Sequence, residues 1–143
     1  MALLGADGSP LPLHLTSDAA GAPARTERVL ELRDAQAAFV FEGIAQKPVP
    51  SILRGFSAPV RLEMERSPDE LAFLMAHDDD AFNRWDAGEK LALSILVAAA
   101  GEPEAFEQSE LVERYGEAWG RVLTDEGLDG SLRALAITLP AEK

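Results

Sequence analysis

Two hydrophobic periods share this chain, and the change between them falls just after residue 63. Before it, apolar residues alternate. Met1 to Leu4 opens the chain in apolar sequence, Asp7-Gly8 gives a turn signal, and Leu11, Leu13 and Leu15 alternate with Pro12 and His14. This pattern predicts a hairpin with one buried face. Pro12 has no amide donor, which places its strand at an edge or beside a bulge. Residues 16–24, rich in Gly, Ala, Pro and Asp, read as a loop. Residues 27–33 read as a strand with Leu30 and Leu32 on one side, residues 34–36 as a turn, and residues 38–41 as a strand of aromatic and β-branched character. A last strand is predicted over 58–65, with Val60, Leu62 and Met64 facing one way and Arg61, Glu63 and Glu65 the other.

After that point the repeat becomes helical. Ser67-Pro-Asp-Glu70 combines a capping serine, a proline suited to the first helical position and a glutamate that completes a capping box. Leu71, Leu74 and Met75 form the apolar stripe of this first helix. Asp78-Asp-Asp80 interrupts it and supplies a cap for a second, whose bulky apolar positions are Phe82, Trp85, Leu91, Leu93, Ile95 and Leu96, and which Gly101 and Pro103 end. Ser109 opens a third helix with Leu111, Val112, Tyr115, Trp119, Val122 and Leu123 at helical spacing as far as Gly127. Asp129 caps a short fourth, which carries Leu132 and Leu135 and stops at Pro140.

The elements together predict an α+β chain: a partial immunoglobulin-like antiparallel β-sandwich over residues 1–66, then an α-helical, solenoid-like region of helix pairs over 67–143. Five strands are fewer than the seven such a sandwich normally has. With the abrupt apolar start at Met1, this points to further strands upstream and to a fragment. The segment from Phe39 to Glu63, with prolines at 48, 50 and 59, is the junction between the two halves.

Composition changes this picture in two ways. Cysteine is absent, which removes disulfides, thiolate metal sites and cysteine nucleophiles. The net charge of −12 is unevenly placed. Lys and Arg number seven against eight Asp and Glu up to Arg66, and six against seventeen from Ser67 onward. So acidic a helical half repels phosphate backbones, which argues against nucleic acid as a partner. It reads as a solubilising surface or as a field for cationic peptides. No basic leader opens the chain and no apolar run reaches the roughly 18 residues a membrane helix needs, so no membrane partner and a cytoplasmic setting are expected.

Candidate chemistry is sparse. The histidines, His14 and His77, lie in different halves, and no His-Glu-x-x-His pairing exists. His14 falls on the outward phase of its strand. His77 with Asp78, Asp79 and Asp80 reads either as a weak carboxylate-rich cation site or as a helix corner with capping aspartates. No Gly-x-Ser-x-Gly elbow and no glycine-rich phosphate loop is present. In Asn83-Arg-Trp-Asp86, Arg84 and Asp86 flank a ligand with Trp85 as its platform, or Trp85 anchors the core while Arg84 and Asp86 pair with neighbouring segments. Tyr115 and Trp119 read as packing rather than as a binding cage.

The succession Phe39-Val-Phe41, Pro48-Val-Pro50, Leu53-Arg54, Phe56-Ser-Ala-Pro-Val60 and Leu62-Glu63 resembles the bacterial form of aminopeptidase N. So does its continuation through Leu71-Ala-Phe-Leu-Met75, His77, Asp80-Ala-Phe82 and Arg84-Trp-Asp-Ala87. The likeness is colinear from about Gln36 to Ala87, looser before it, and weaker beyond, where Leu123 to Leu128 and Leu135 to Pro140 again look similar. The resemblance implies a zinc metallopeptidase of the gluzincin type that removes N-terminal residues from peptides. Such an enzyme has a catalytic domain carrying His-Glu-x-x-His and Gly-x-Met-Glu-Asn, a small β-sandwich and a large helical domain enclosing the active-site chamber. This chain resembles the later part of the sandwich joined to the start of the helical domain.

No zinc-ligand or catalytic position of that family has a match here, so catalytic, cofactor-binding and metal residues are all expected to be none. Zinc is expected in the parent enzyme and not on this chain. The implied partners are the remaining domains of the parent, with peptides as the parent's substrates and an exposed sheet edge for self-association. The alternative is a freestanding protein-interaction module built of β-sandwich and helices.

Overall fold

In the computed structural model, residues 1–101 and 109–140 are described. The chain divides into two compact units, Met1–Pro59 and Val60–Lys143. The first carries four short strands, β1 (Ala2–Leu4), β2 (His14–Leu15), β3 (Phe41–Glu42) and β4 (Val49–Ser51). They form two separate antiparallel pairs. In β1–β4, Ala2 faces Ser51, Leu3 faces Pro50 and Leu4 faces Val49. In β2–β3, His14 faces Glu42 and Leu15 faces Phe41.

The expected hairpin at the start is present in outline. Gly8, at φ 84°, makes the turn, and the Asp7 carboxylate accepts from both the Ser9 amide and the Ser9 hydroxyl at 3.0 Å. The Gly5 amide donates to the Ser9 carbonyl and the Leu11 amide to the Leu3 carbonyl. The returning arm forms isolated bridges rather than a strand around Pro12, as a residue without a donor dictates. Ala2, Leu3, Leu4 and Leu13 are the buried apolar residues of this unit, and Ser51 and Arg54 are buried with them. The Arg54 guanidinium donates to the Ser51 hydroxyl at 3.0 Å and lies 3.4 Å from the Glu27 carboxylate.

Two expected strands do not form. Residues 27–33 are irregular, with Val29 80% and Leu32 65% exposed. Among the described residues Arg28 alone of this segment is tied into the unit's backbone, exchanging hydrogen bonds with Met1 in both directions. Residues 58–65 are likewise irregular, and Val60, Leu62 and Met64 are exposed. Alternation defines a face, but a strand also needs a neighbour to take its amides and carbonyls. Among the described residues segment 27–33 has one only at Arg28, opposite Met1, and segment 58–65 pairs with no strand. Between β4 and residue 58 the chain makes a single 3-10 turn, Arg54–Phe56, flanked and closed by Leu53 and Phe56 at positive φ.

The second unit holds four described helices: α1 (Pro68–His77), α2 (Ala81–Gly101), α3 (Glu110–Thr124) and α4 (Gly130–Ala136). None is long and apolar enough to cross a membrane. The expected caps are in place. Ser67 accepts from the Glu70 amide at 3.2 Å while the Glu70 carboxylate takes the Ser67 amide. Ser109 accepts from Leu111, and Asp129 from Ser131 and Leu132. Helix α2 runs through Gly101, and Pro103, the other expected stop, lies outside the described residues. Helix α3 ends at Thr124 rather than at Gly127, because Asp125 leaves helical geometry and accepts the Gly127 amide at 3.0 Å.

The core of this unit is Leu71, Leu74 and Met75 of α1, Ala87, Leu91, Ala92 and Ile95 of α2, Ala118 and Val122 of α3, and Ala136 of α4. Helix α1 packs against α2 and α3. Helix α4 approaches α2 at Gly88, where a Cβ would already lie 3.4 Å from the Met75 sulfur and 3.5 Å from the Ala136 carbonyl oxygen.

Candidate functional site

The inward stripe of α2 begins with a charge. Arg84, Ala87, Gly88, Leu91, Ala92 and Ile95 are its buried residues, and they follow the i, i+3, i+4, i+7 spacing of one helix face. Trp85 is one position off that stripe and only half-buried, with its ring 5.4 Å from that of exposed Phe82. The core anchor in Asn83-Arg-Trp-Asp86 is therefore the arginine and not the tryptophan. Asp86 faces outward and pairs with Lys90 one turn on, at 2.6 Å.

Arg84 is 4% exposed and uses its guanidinium in three directions. Nε donates to the Met75 carbonyl at 2.8 Å and Nη2 to the Ala76 carbonyl at 2.9 Å. Nη1 donates to the Asp125 carboxylate at 2.7 Å. Met75 and Ala76 belong to the last turn of α1, whose carbonyls have no partner within the helix and carry the negative end of its dipole. A planar, permanently charged donor fork suits that position, and burial is tolerated because every direction meets an acceptor. The Asp125 carboxyl is held below the usual carboxylate range by Arg84 first and then by the Gly127 amide, against the opposing effect of burial.

The same device recurs at the ends of α3 and α4. Arg133 of α4 donates to the Leu123 and Leu128 carbonyls around the end of α3, at 3.4 and 3.1 Å. The Trp119 indole of α3 donates to the Ile137 carbonyl just beyond α4, at 3.1 Å. Each of these three helix C-termini is thus closed by a side chain from another helix. Arg66 is half-buried among Glu70, Asp78 and Asp86, and burial pushes its guanidinium below its ordinary value despite those carboxylates. Tyr115 is raised, first by burial and then by Glu89.

Of the aspartates after His77, Asp78 and Asp80 act as local caps. Asp78 accepts from the Asp80 amide at 2.9 Å, and Asp80 from the Asn83 amide at 3.0 Å, starting α2. His77 turns the other way, packing on Phe73 with ring centroids 4.9 Å apart. It lines an open cleft of about 250 Å³ between α1 and α3, with Asp69, Arg114, Glu117 and Arg121. Arg114 pairs there with Asp69 and with Glu110. In the first unit His14 faces Glu42 beside a cavity of about 440 Å³ that includes Asp18, Gly21 and Gly43. Asp18 is occupied by Arg28 and by the Leu15 amide, which together hold its carboxyl below the usual range.

Sequence reasoning placed Arg84 in a pairing role but missed its depth, and it missed Asp125 and Arg133 altogether. The signal was present: counting back from Leu91 and Ile95 by sevens and elevens lands on residue 84.

Residues 2–65 match a family described as a domain of unknown function, DUF3458, with an Ig-like fold. Residues 68–143, just over half of the chain, match its companion DUF3458_C, described as ARM repeats. Over 119 residues the chain is 40% identical to Aminopeptidase N of Caulobacter vibrioides, covering 82% of this chain and 13% of that protein. The chain belongs to the aminopeptidase N family. Aminopeptidase N of Escherichia coli is 36% identical over 79% of the chain. The crystal structure of Legionella pneumophila aminopeptidase A in complex with aspartic acid superposes with a TM-score of 0.69 at 27% identity, covering 98% of this chain and 14% of that one. The chain thus spans about an eighth of the length of its aminopeptidase N relatives, and its architecture is an Ig-like unit followed by a helical one. Zinc, which the family name implies, finds no fitting ligand set here: among the described residues no three His, Cys, Asp or Glu side chains are grouped to hold a metal.

Proposed function

We propose that this chain is a non-catalytic, architectural segment of a zinc-dependent aminopeptidase N. The parent enzyme releases N-terminal amino acids from peptides in the cytoplasm. Residues 1–66 form the later part of its β-sandwich, residues 67–143 begin its helical domain, and together they link the catalytic domain to the helical one. The partners of the segment are the remaining domains of that parent.

The observation that carries this reading is the use to which the family-like residues are put. Of the Arg84-Trp-Asp-Ala87 motif, Arg84 and Ala87 are buried and spent on closing α1 against α2 and α3, and Asp86 on an outward pair. Asp80, from the motif before it, caps a helix. Side chains held in such bonds serve the shape of the helical unit, which supports an architectural role. Purified chain, assayed on aminoacyl substrates with and without added zinc, is expected to show no turnover and no stoichiometric zinc. Turnover that depends on zinc and survives rigorous purification overturns the proposal.

A further inference from the structure

Backbone strain is concentrated in the last turn of the first unit. Leu53, at φ 58°, and Phe56, at φ 53°, are the non-glycine residues with positive φ among those described, and Gly55 between them lies at 59°. Glycine adopts this left-handed conformation freely. A bulky residue crowds its Cβ against the following carbonyl oxygen, and the folded state loses a factor of roughly five or more for each. Packing at the tip does not offset that loss, since Gly55, Phe56 and Ser57 are exposed, Phe56 by 71%.

Arg54 is the buried member of the turn. Its guanidinium donates to the buried Ser51 hydroxyl at 3.0 Å and lies 3.4 Å from the Glu27 carboxylate. The Ser57 amide closes the turn onto the Arg54 carbonyl at 3.2 Å. Both flanks are stiff. Strand β4 is paired with β1 as far as Ser51, and Pro59 keeps Ala58 out of helical geometry.

We propose that residues 53–57 are a loaded hinge, held by Arg54 in a high-energy backbone state where the chain leaves the first unit. Displacing the guanidinium lets Leu53 and Phe56 return to negative φ. The stiff flanks confine that change to this turn, so the chain then leaves the unit in a different direction. The segment thereby carries a two-state element beyond the architectural role proposed above.

Hydrogen exchange of the full chain tests this at the Leu11 and Leu13 amides, which donate to the Leu3 and Arg25 carbonyls and report the stability of the first unit. In ordinary backbone glycine is less stable than alanine, because it has more freedom to lose on folding. At position 56 the order is expected to invert, with protection about threefold higher in Phe56→Gly than in Phe56→Ala. Both variants remove the same exposed ring, so the difference reads the strain. The clamp is tested by Arg54→Met, made in the wild type and in Phe56→Gly. Relief of the turn offsets part of the loss in the wild type, so the loss is expected to be about twofold or more greater beside the glycine. Where Arg54→Met unfolds the unit, Glu27→Gln weakens the same guanidinium from its exposed end and is compared in the same two backgrounds. Protection in Phe56→Ala equal to or above that in Phe56→Gly shows an unstrained turn and overturns the proposal. Equal losses in the two backgrounds show that Arg54 supports the unit without holding the turn, and overturn it as well.

Discussion

The two units are held together in opposite ways. The sheet unit relies on backbone pairings between residues far apart in sequence, such as Ala2 with Ser51 and Met1 with Arg28, through strands of two or three residues. The helical unit builds its backbone bonds locally, in helices of 7 to 21 residues, and then closes the helix ends with side chains from elsewhere. One unit therefore depends on the chain returning to itself. The other depends on a few donors placed at the right helix termini.

The comparison is broken most severely at Arg84. Arg84→Ala removes three bonds and leaves the partly buried Asp125 carboxylate and two α1 carbonyls without their donor. A loss of about 3 kcal/mol or more is expected in the helical unit, read as an earlier fall of the helical circular dichroism signal on heating. Arg84→Lys is expected to recover only part of it, because an ammonium cannot reach three diverging acceptors at once.

Acid titration sharpens the contrast with a smaller effect. Asp125 and Asp18 both have depressed carboxyl pKa values, each because of an arginine, from a reference of 3.8. A group whose folded pKa is depressed contributes stability that is complete above the unfolded value and is lost as pH falls through the folded one. Each unit is therefore expected to weaken below about pH 3.8, and Asp125→Asn is expected to remove part of that dependence from the helical unit alone. An acid midpoint of the helical signal that is identical in wild type and Asp125→Asn would contradict the assignment.

The smallest effect is expected at Leu32. If residues 27–33 lack a strand partner, Leu32→Ser changes stability by less than about 0.5 kcal/mol. A loss several times larger, measured by denaturant unfolding, shows that this face is covered after all.

Legibility followed the same division. Ser67, Ser109 and Asp129 announced their helices because a cap and its partner amides lie within three residues. The turn at Asp7-Gly8 was equally local. The segments 27–33 and 58–65 were misjudged because an alternating pattern carries no information about whether a partner strand is present. Bulk and hydrophobicity favour Trp85 as the core residue of Asn83-Arg-Trp-Asp86, whereas helix phase puts Arg84 on the inward stripe. An arginine on the inward phase is readable only when its acceptors are known, and Asp125 lies 41 residues away.

The three bonds of Arg84 also imply an expected order of assembly. Two acceptors, Met75 and Ala76, precede it by nine and eight residues, whereas Asp125 follows by 41. The bonds of the α1–α2 corner span fewer than ten residues and are expected to form ahead of the long-range bond to Asp125. Asp125 is expected to dock last, onto a guanidinium already held by the two carbonyls. Mutations at Arg84 are expected to slow folding, whereas those at Asp125 chiefly speed unfolding, the one residue acting early and its partner late.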